Sequence, residues 1–335
     1  MKVTPATSKP TLLLDFADAL GRQSKTDNFL RNLLARHYDV QIVDDPEVLI
    51  FTHYGQRNRL YSCKKIFYTQ ERYFPDWKNC DTAVTSAFCK HPHCYYFPFF
   101  AAHRKGDDLV RPPGFDPEKI FWENRGFCSY LHKYEDRSVA PRTRFFHALN
   151  RRKKVDAFGR AGNNTGLEIP GVAGQGKRQV LRRGRFHIAF ENRMTPGWTT
   201  EKFTDAFEAH TVPIYWGDEH ALQWFNPKAF VNVRRFRNFG ECCDYVLHLE
   251  NSPEEYLQML AESPFPGNRV PEIYSHERLL EFLVREIERV EMPVARRRWF
   301  YPLTKWRLVR RDLTHEDGSR NGPPPPRRGF PVSSS

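Results

Sequence analysis

Apolar and polar positions along the first ninety residues alternate in short blocks. Thr11 to Phe16 (TLLLDF) is a compact apolar run whose length predicts a strand. Asp27 to Tyr38 places Phe29, Leu30, Leu33 and Leu34 at helical spacing. Glu47 to Thr52 and Lys65 to Thr69 are again short and rich in strand formers, and Cys94 to Phe99 predicts a further strand. Strands alternating with helices point to βαβ units on a parallel sheet. The stretch Ala102 to Asp136 is mixed, and Pro112-Pro113-Gly114 breaks it, which places a domain junction nearby.

A second alternating block follows. Arg142 to Asn150 reads as a helix and Val155 to Gly159 (VDAFG) as a strand ending in a glycine turn. Phe186 to Phe190 (FHIAF) predicts a buried strand, Glu201 to Ala209 a helix with Phe203, Ala206 and Phe207 on one face, and Thr211 to Trp216 the next strand. Phe230 to Val233 adds a strand, and Pro253 to Glu262 and Glu277 to Glu291 add helices. The expected organisation is therefore a lobe over residues 1–137, a second over 138–292 and a tail over 293–335. Two α/β lobes in tandem imply a cleft, a common place for a ligand.

Charge sharpens the view of the tail. Residues 293–335 hold ten Arg and Lys against three Asp and Glu, so they carry +7 of the net +12. Arg296-Arg297-Arg298, Trp299, Phe300, Trp306 and Arg310-Arg311 combine cations with aromatics, a pattern suited to an anionic membrane surface. The remaining chain carries only +5, which argues against a folded nucleic-acid-binding body. With 40% hydrophobic and 14% aromatic residues, the chain can build real cores, which excludes a disordered regulator. No apolar run is long enough for a membrane span, and the polar first ten residues carry no apolar signal region, so the sequence reads as cytoplasmic, peripheral on the inner membrane face. Seven cysteines without a repeated spacing fit a reducing compartment. Cys89-Lys90-His91-Pro92-His93-Cys94 has the look of a metal knuckle but lacks a second pair, and reads as a turn at Pro92.

The densest chemistry lies in Phe190 to Lys202 (FENRMTPGWTTEK), which runs from a strand through a glycine loop to a helix N-terminus. Free N–H groups and the helix dipole favour phosphate there, and Lys202 adds a full charge. Glu201 beside it suits hydroxyls, so the pair fits a nucleotide diphosphate carrying a sugar. Read from the residues alone, the same letters also fit an ordinary capped helix with a surface Glu–Lys pair. Arg142 and Arg144 sit at the start of a helix, where cations oppose the dipole and a bound anion would explain them. Residues two apart lie on different faces, so both cannot point the same way. Glu71, in Tyr68-Thr69-Gln70-Glu71-Arg72, falls at the carboxyl end of a predicted strand, where ligands sit in open parallel sheets. It suits a general base, or equally an acid paired with Arg72.

FENRMTPGWTTEKF followed by AFEAHTVPIYWG closely resembles the donor-binding signature of α1,3-fucosyltransferases, glycosyltransferase family 10, of bacterial type. APRTRFFHALN with VDAFG is similar to the family's upstream segment, and IFYTQERYFPDW to the segment carrying its proposed catalytic carboxylate. The resemblance runs from about Lys65 to Trp224. It implies two Rossmann-like lobes of the glycosyltransferase B type facing a cleft, with the acceptor on the first and GDP-fucose on the second. By that resemblance Glu71 is the catalytic base, and Arg142, Lys202 and Arg144 meet the diphosphate. Asn192 and Trp198 line the nucleotide pocket, and Glu201 binds sugar or ribose hydroxyls. The family usually has tyrosine where Trp198 stands. The reaction implied moves L-fucose from GDP-β-L-fucose to a glycan acceptor with inversion, giving an α1,3 linkage; α1,4 linkage or another donor sugar is the alternative. The chain has no Asp-x-Asp clamp, so no obligatory metal is expected, and Mn2+ or Mg2+ would at most stimulate. Bacterial relatives also end in basic, aromatic tails held to act at a membrane surface.

Overall fold

The computed structural model describes residues 9–18, 24–103, 105–123, 126–132, 140–167 and 175–296. The tail predicted to meet a membrane lies outside them from residue 297 on. Among the described residues no helix is long and apolar enough to cross a membrane. Among these described residues, one compact unit gathers those up to Tyr68, Pro75–Ala83 and Leu280–Arg296; the other gathers Thr69–Phe74 and those between Val84 and Leu279. These divisions differ from a single junction at 137, because the chain leaves the first unit and returns to it.

The first sheet is built from β1 (Thr11–Ala17), β2 (Asp39–Ile42), β3 (Val48–Phe51), β4 (Lys64–Thr69), β5 (Thr82–Thr85) and β6 (Cys94–Tyr96). Its order is β2-β1-β3-β4-β5-β6, with β2, β1, β3 and β4 parallel. All four residues of β3 are buried, as expected of a parallel strand covered on both faces. Helix α1 (Phe29–Leu34) follows β1 and is shorter than its periodicity suggests. Asn28 caps it, accepting from the Arg31 N–H, and Leu30, Leu33 and Leu34 form its buried stripe. The predicted strand through Phe99 stops at Tyr96, and Pro98 precedes α2 (Phe99–His103).

The second sheet comprises β7 (Gly126–Tyr130), β8 (Asp156–Ala157), β9 (Gly184–Phe190), β10 (Val212–Trp216) and β11 (Val231–Asn232) in the order β11-β10-β9-β7-β8, all parallel. The remaining helices are α3 (Pro117–Trp122), α4 (Ala140–Asn150), α5 (Gln175–Leu181), α6 (Glu201–Glu208), α7 (Phe239–Asn251), α8 (Pro253–Ala261) and α9 (His276–Glu288). β9 and β10 register Ile188 with Ile214 and Phe190 with Trp216, so their carboxyl ends lie side by side. Phe145, Phe186, Phe190, Ile214, Val246 and Tyr256 belong to one core beneath α4, α7 and α8. The sequence pattern misses β7 and α7. β7 (GFCSY) carries few strong apolar residues yet lies between β8 and β9. The buried stripe of α7 begins with Cys242 and Cys243, which behave as small apolar residues before Val246 and Leu249.

The return of the chain to the first unit is secured by one lysine. Lys64 on β4 is buried, and its ammonium donates to the carbonyls of Glu286, Ile287 and Arg289 at 2.8, 2.7 and 2.7 Å. These are orphan carbonyls at and just past the end of α9, where a cation is favoured. Burial depresses the Lys64 pKa, the neighbouring Arg289 charge adds to that, and Asp81 and Glu286 oppose it. Asp81 ties the same region by accepting from the backbone N–H groups of Lys65 at 2.8 Å and Val294 at 2.7 Å. Lys64→Met is expected to lower stability by about 2–4 kcal/mol in chemical denaturation, since charge-assisted bonds to the helix end are lost.

Candidate active site

The strand-to-helix passage predicted from FENRMTPGWTTEK is present in the second unit. β9 ends at Phe190, and Glu191 follows with only 1% of its surface exposed. Its backbone N–H donates to the Trp216 carbonyl, which carries the pairing with β10 one residue further. The Glu191 carboxylate then reaches forward to α6. It accepts the Thr200 N–H at 2.7 Å and the Thr200 hydroxyl at 3.0 and 2.9 Å. Lys202 stands 3.6 Å from the same carboxylate and donates to the Thr200 hydroxyl at 3.0 Å. Burial pushes the Glu191 carboxyl up, while the Lys202 charge and the Thr200 N–H pull it down.

The loop between these anchors requires glycine. Gly197 has φ +82°, and a Cβ there would lie 2.8 Å from the backbone nitrogen of Phe88. Its N–H donates to Asp218 at 2.7 Å and its carbonyl accepts from the Tyr96 hydroxyl at 2.5 Å. The adjoining Pro196 carbonyl accepts from the Phe88 N–H at 2.9 Å. Trp198 is thereby buried, with its indole N–H donating to the Gln70 carbonyl at 3.1 Å. That bond brings the Glu71 segment to the loop. The Arg72 guanidinium lies 5.2 Å from the centre of the Trp198 ring, and the Lys202 ammonium 6.0 Å from it.

Glu71 therefore packs with the second unit, together with the phosphate-binding candidates. Burial raises its carboxyl above the ordinary value of 4.5; Arg72 and Lys202 oppose the rise and Glu201 reinforces it. For Glu201 burial acts upward, but Lys202 and Lys177 outweigh it and hold the carboxyl below the ordinary value. The Lys177 ammonium stands 3.4 Å from Glu201 and is also paired with the buried Asp205. Sequence reasoning did not single out Lys177, because its value depends on α5 packing beside α6.

The two arginines of α4 separate as the helix period demands. Arg142 is buried and donates to the Asn192 side-chain oxygen at 2.7 Å, which places both at the end of β9. Arg144 is exposed, its guanidinium 6.0 Å from the Phe239 ring. Behind Arg142, His132 is buried, and burial followed by the charges of Arg142, Lys202 and His187 drives its pKa well down. A neutral imidazole is thus packed beside the cationic site. Among the described residues no group of three or more His, Cys, Asp or Glu is arranged to hold a metal ion, and Cys89 and Cys94 are free thiols. A cavity of about 600 Å3 lined by Phe230, Val231, Arg235, Tyr245, Leu249 and Met259 contains none of the predicted site residues.

Two family models match this chain. The C-terminal model of glycosyltransferase family 10 (fucosyltransferase) covers residues 124–261, and that of the alpha-(1,3)-fucosyltransferase FucT N-terminal domain covers residues 13–103. Together they account for more than half of the sequence. The chain belongs to glycosyltransferase family 10. Within the family it is similar to alpha-(1,3)-fucosyltransferase FucT of Helicobacter pylori, with 38% identity over 140 residues, 42% of this chain and 28% of that one. Alpha-(1,3)-fucosyltransferase 4 of Mus musculus is 30% identical over 164 residues, 48% of this chain and 36% of that one. The matched region thus spans about a third of these relatives' length. A crystal structure of an alpha1,3-fucosyltransferase with GDP-fucose superposes with a TM-score of 0.70 at 24% identity, covering 87% of this chain and 94% of that one. The family 10 chain accordingly shares its fold of two Rossmann-like α/β lobes, the glycosyltransferase B type.

Glu191 is the residue that joins β9 to α6 in this family 10 chain. Glu191→Ala leaves the Thr200 N–H and Lys202 without their buried acceptor. A loss of roughly 3 kcal/mol in a urea or guanidinium titration is expected.

Proposed function

We propose that this chain is an inverting fucosyltransferase that moves L-fucose from GDP-β-L-fucose to O3 of GlcNAc in an N-acetyllactosamine-type glycan. The observation that carries this reading is the grouping of Glu71, Arg142, Asn192, Trp198, Glu201 and Lys202 within one compact unit around the Phe190 to Lys202 passage. The names of the relatives, each an alpha-(1,3)-fucosyltransferase, point the same way.

In this reading Lys202 and Arg142 face the diphosphate. Charge grows on that group as the glycosidic bond breaks, and fixed cations aimed at it lower the barrier. Arg144, exposed on the next face of α4, is a secondary contact at most. Glu201 binds hydroxyls of the sugar or ribose while Lys177 holds it in place. Asn192 and Trp198 line the nucleotide pocket. Glu71 takes the proton from the acceptor hydroxyl. That oxygen then attacks the anomeric carbon from the face opposite GDP, giving an α-fucoside. A carboxyl raised by burial is a stronger base than an exposed one, which suits this task. Protein cations take the place of a metal clamp, so activity should persist in EDTA, with Mn2+ or Mg2+ at most stimulating. The basic, aromatic tail from Arg296 on would hold the enzyme at an anionic membrane surface on the cytoplasmic side; deleting it should abolish vesicle binding and spare transfer to a soluble acceptor.

Offering GDP-fucose with N-acetyllactosamine, lacto-N-biose and other GlcNAc-containing glycans tests the donor, the acceptor and the linkage together. Product with none of them would reject the reading. Glu71→Gln should reduce kcat by about a hundredfold or more while leaving GDP affinity in place by calorimetry. Lys202→Ala and Arg142→Ala should weaken GDP binding as well as turnover; unchanged affinity in both would remove the diphosphate assignment.

The pH profile provides a separate check. Activity falls on the acid side as Glu71 takes up a proton, with the midpoint of kcat/KM above 4.5. Arg72 holds the Glu71 pKa down and Glu201 holds it up. Arg72→Gln should therefore move the acid limb to higher pH and Glu201→Gln to lower pH. If both variants leave the limb in place, Glu71 is not the group that titrates.

A further inference from the structure

Among the described residues most aromatic side chains are buried, and Tyr54, Tyr73, Phe74 and Trp122 are the exposed ones. Tyr73 and Phe74 are 53% and 57% exposed, immediately after Glu71 and Arg72. Each offers an exposed aromatic ring that a ligand can cover. The segment that carries them is held on the side of the donor loop. The Gln70 carbonyl accepts from the Trp198 indole, the Gln70 side chain meets His103 Nε2 at 2.9 Å, and Arg72 lies over Trp198. All of these residues belong to the second unit.

Resting on the transferase reading above, we propose that Tyr73 and Phe74 form the stacking platform for the acceptor glycan. A general base must come within hydrogen-bond distance of the hydroxyl it deprotonates. Two residues of extended chain span at most about 7 Å and three about 11 Å. An acceptor whose hydroxyl meets Glu71 therefore has its own ring or the next ring within range of Tyr73 and Phe74. Pyranose rings present a face of C–H groups that packs on aromatic faces, and a tyrosine hydroxyl can meet a sugar hydroxyl at the rim. The tethering of Gln70 and Arg72 sets the platform in place before the sugar arrives, which reduces the ordering cost of binding.

The test uses the full chain with GDP-fucose and N-acetyllactosamine. Tyr73→Ala with Phe74→Ala should raise the acceptor KM about tenfold or more, leaving the GDP-fucose KM, the slow hydrolysis of GDP-fucose by water and the thermal midpoint within twofold or a few degrees. Tyr73→Phe with Phe74→Tyr should restore most of the acceptor affinity, because the ring faces return. An unchanged acceptor KM overturns the platform while the transferase reading stands. So does an equal loss of donor affinity, or loss of vesicle binding without a change in acceptor KM. If the wild-type chain makes no fucosylated product, the transferase reading fails, and the platform is decided by saturation-transfer NMR with N-acetyllactosamine, which needs no turnover. Ring-proton signals present in the wild type and absent in the double variant support it; signals equal in both, or absent in both, reject it.

Discussion

A single buried carboxylate organises the second unit. Glu191 sits where β9 ends, and its acceptor oxygens are taken by the first turn of α6 and by Lys202. An anion is favoured at a helix N-terminus, and here the protein supplies its own at the root of the loop. Two hydrogen bonds from Thr200 and the nearby ammonium offset part of the desolvation cost, and burial still raises the carboxyl. With both ends of the loop attached in this way, Gly197 and Trp198 have little freedom, and Trp198 can in turn hold the Gln70 carbonyl.

From that anchor the electrostatics spread outward in alternating signs. The Lys202 charge acts on Glu191, Glu71 and Glu201 alike, and Lys177 takes up Glu201 together with Asp205. Arg142 is held by Asn192. The neutral, buried His132 adds no charge behind them. Each carboxylate keeps a cation near it, but burial still raises Glu71, because its two cationic neighbours offset only part of the desolvation. The outcome is a cationic group beside a carboxylate raised by burial.

The first unit depends on a different contact. Lys64 is buried in β4 and closes the carbonyl end of α9. The sequence offers no hint of this, since the predicted strand begins only at Lys65. A buried lysine is tolerated because three carbonyls receive its three protons, a partner set assembled from residues more than two hundred positions away.

The sequence by itself determined the alternation of strands and helices, the strand–loop–helix of Phe190 to Lys202 and the opposition of Arg142 to Arg144. These are local properties, set by side-chain periodicity, a required glycine and an N-cap. It left open which arginine turns inward, because a helix period separates two faces without saying which is buried. It could not expose β7, whose few apolar letters matter only between β8 and β9, or α7, whose stripe is half cysteine. Only the tertiary structure decided that Lys177 holds Glu201, that Arg142 meets Asn192, and that Glu71 packs with the second unit. Those are contacts between segments far apart in the chain, and no spacing rule reaches across them.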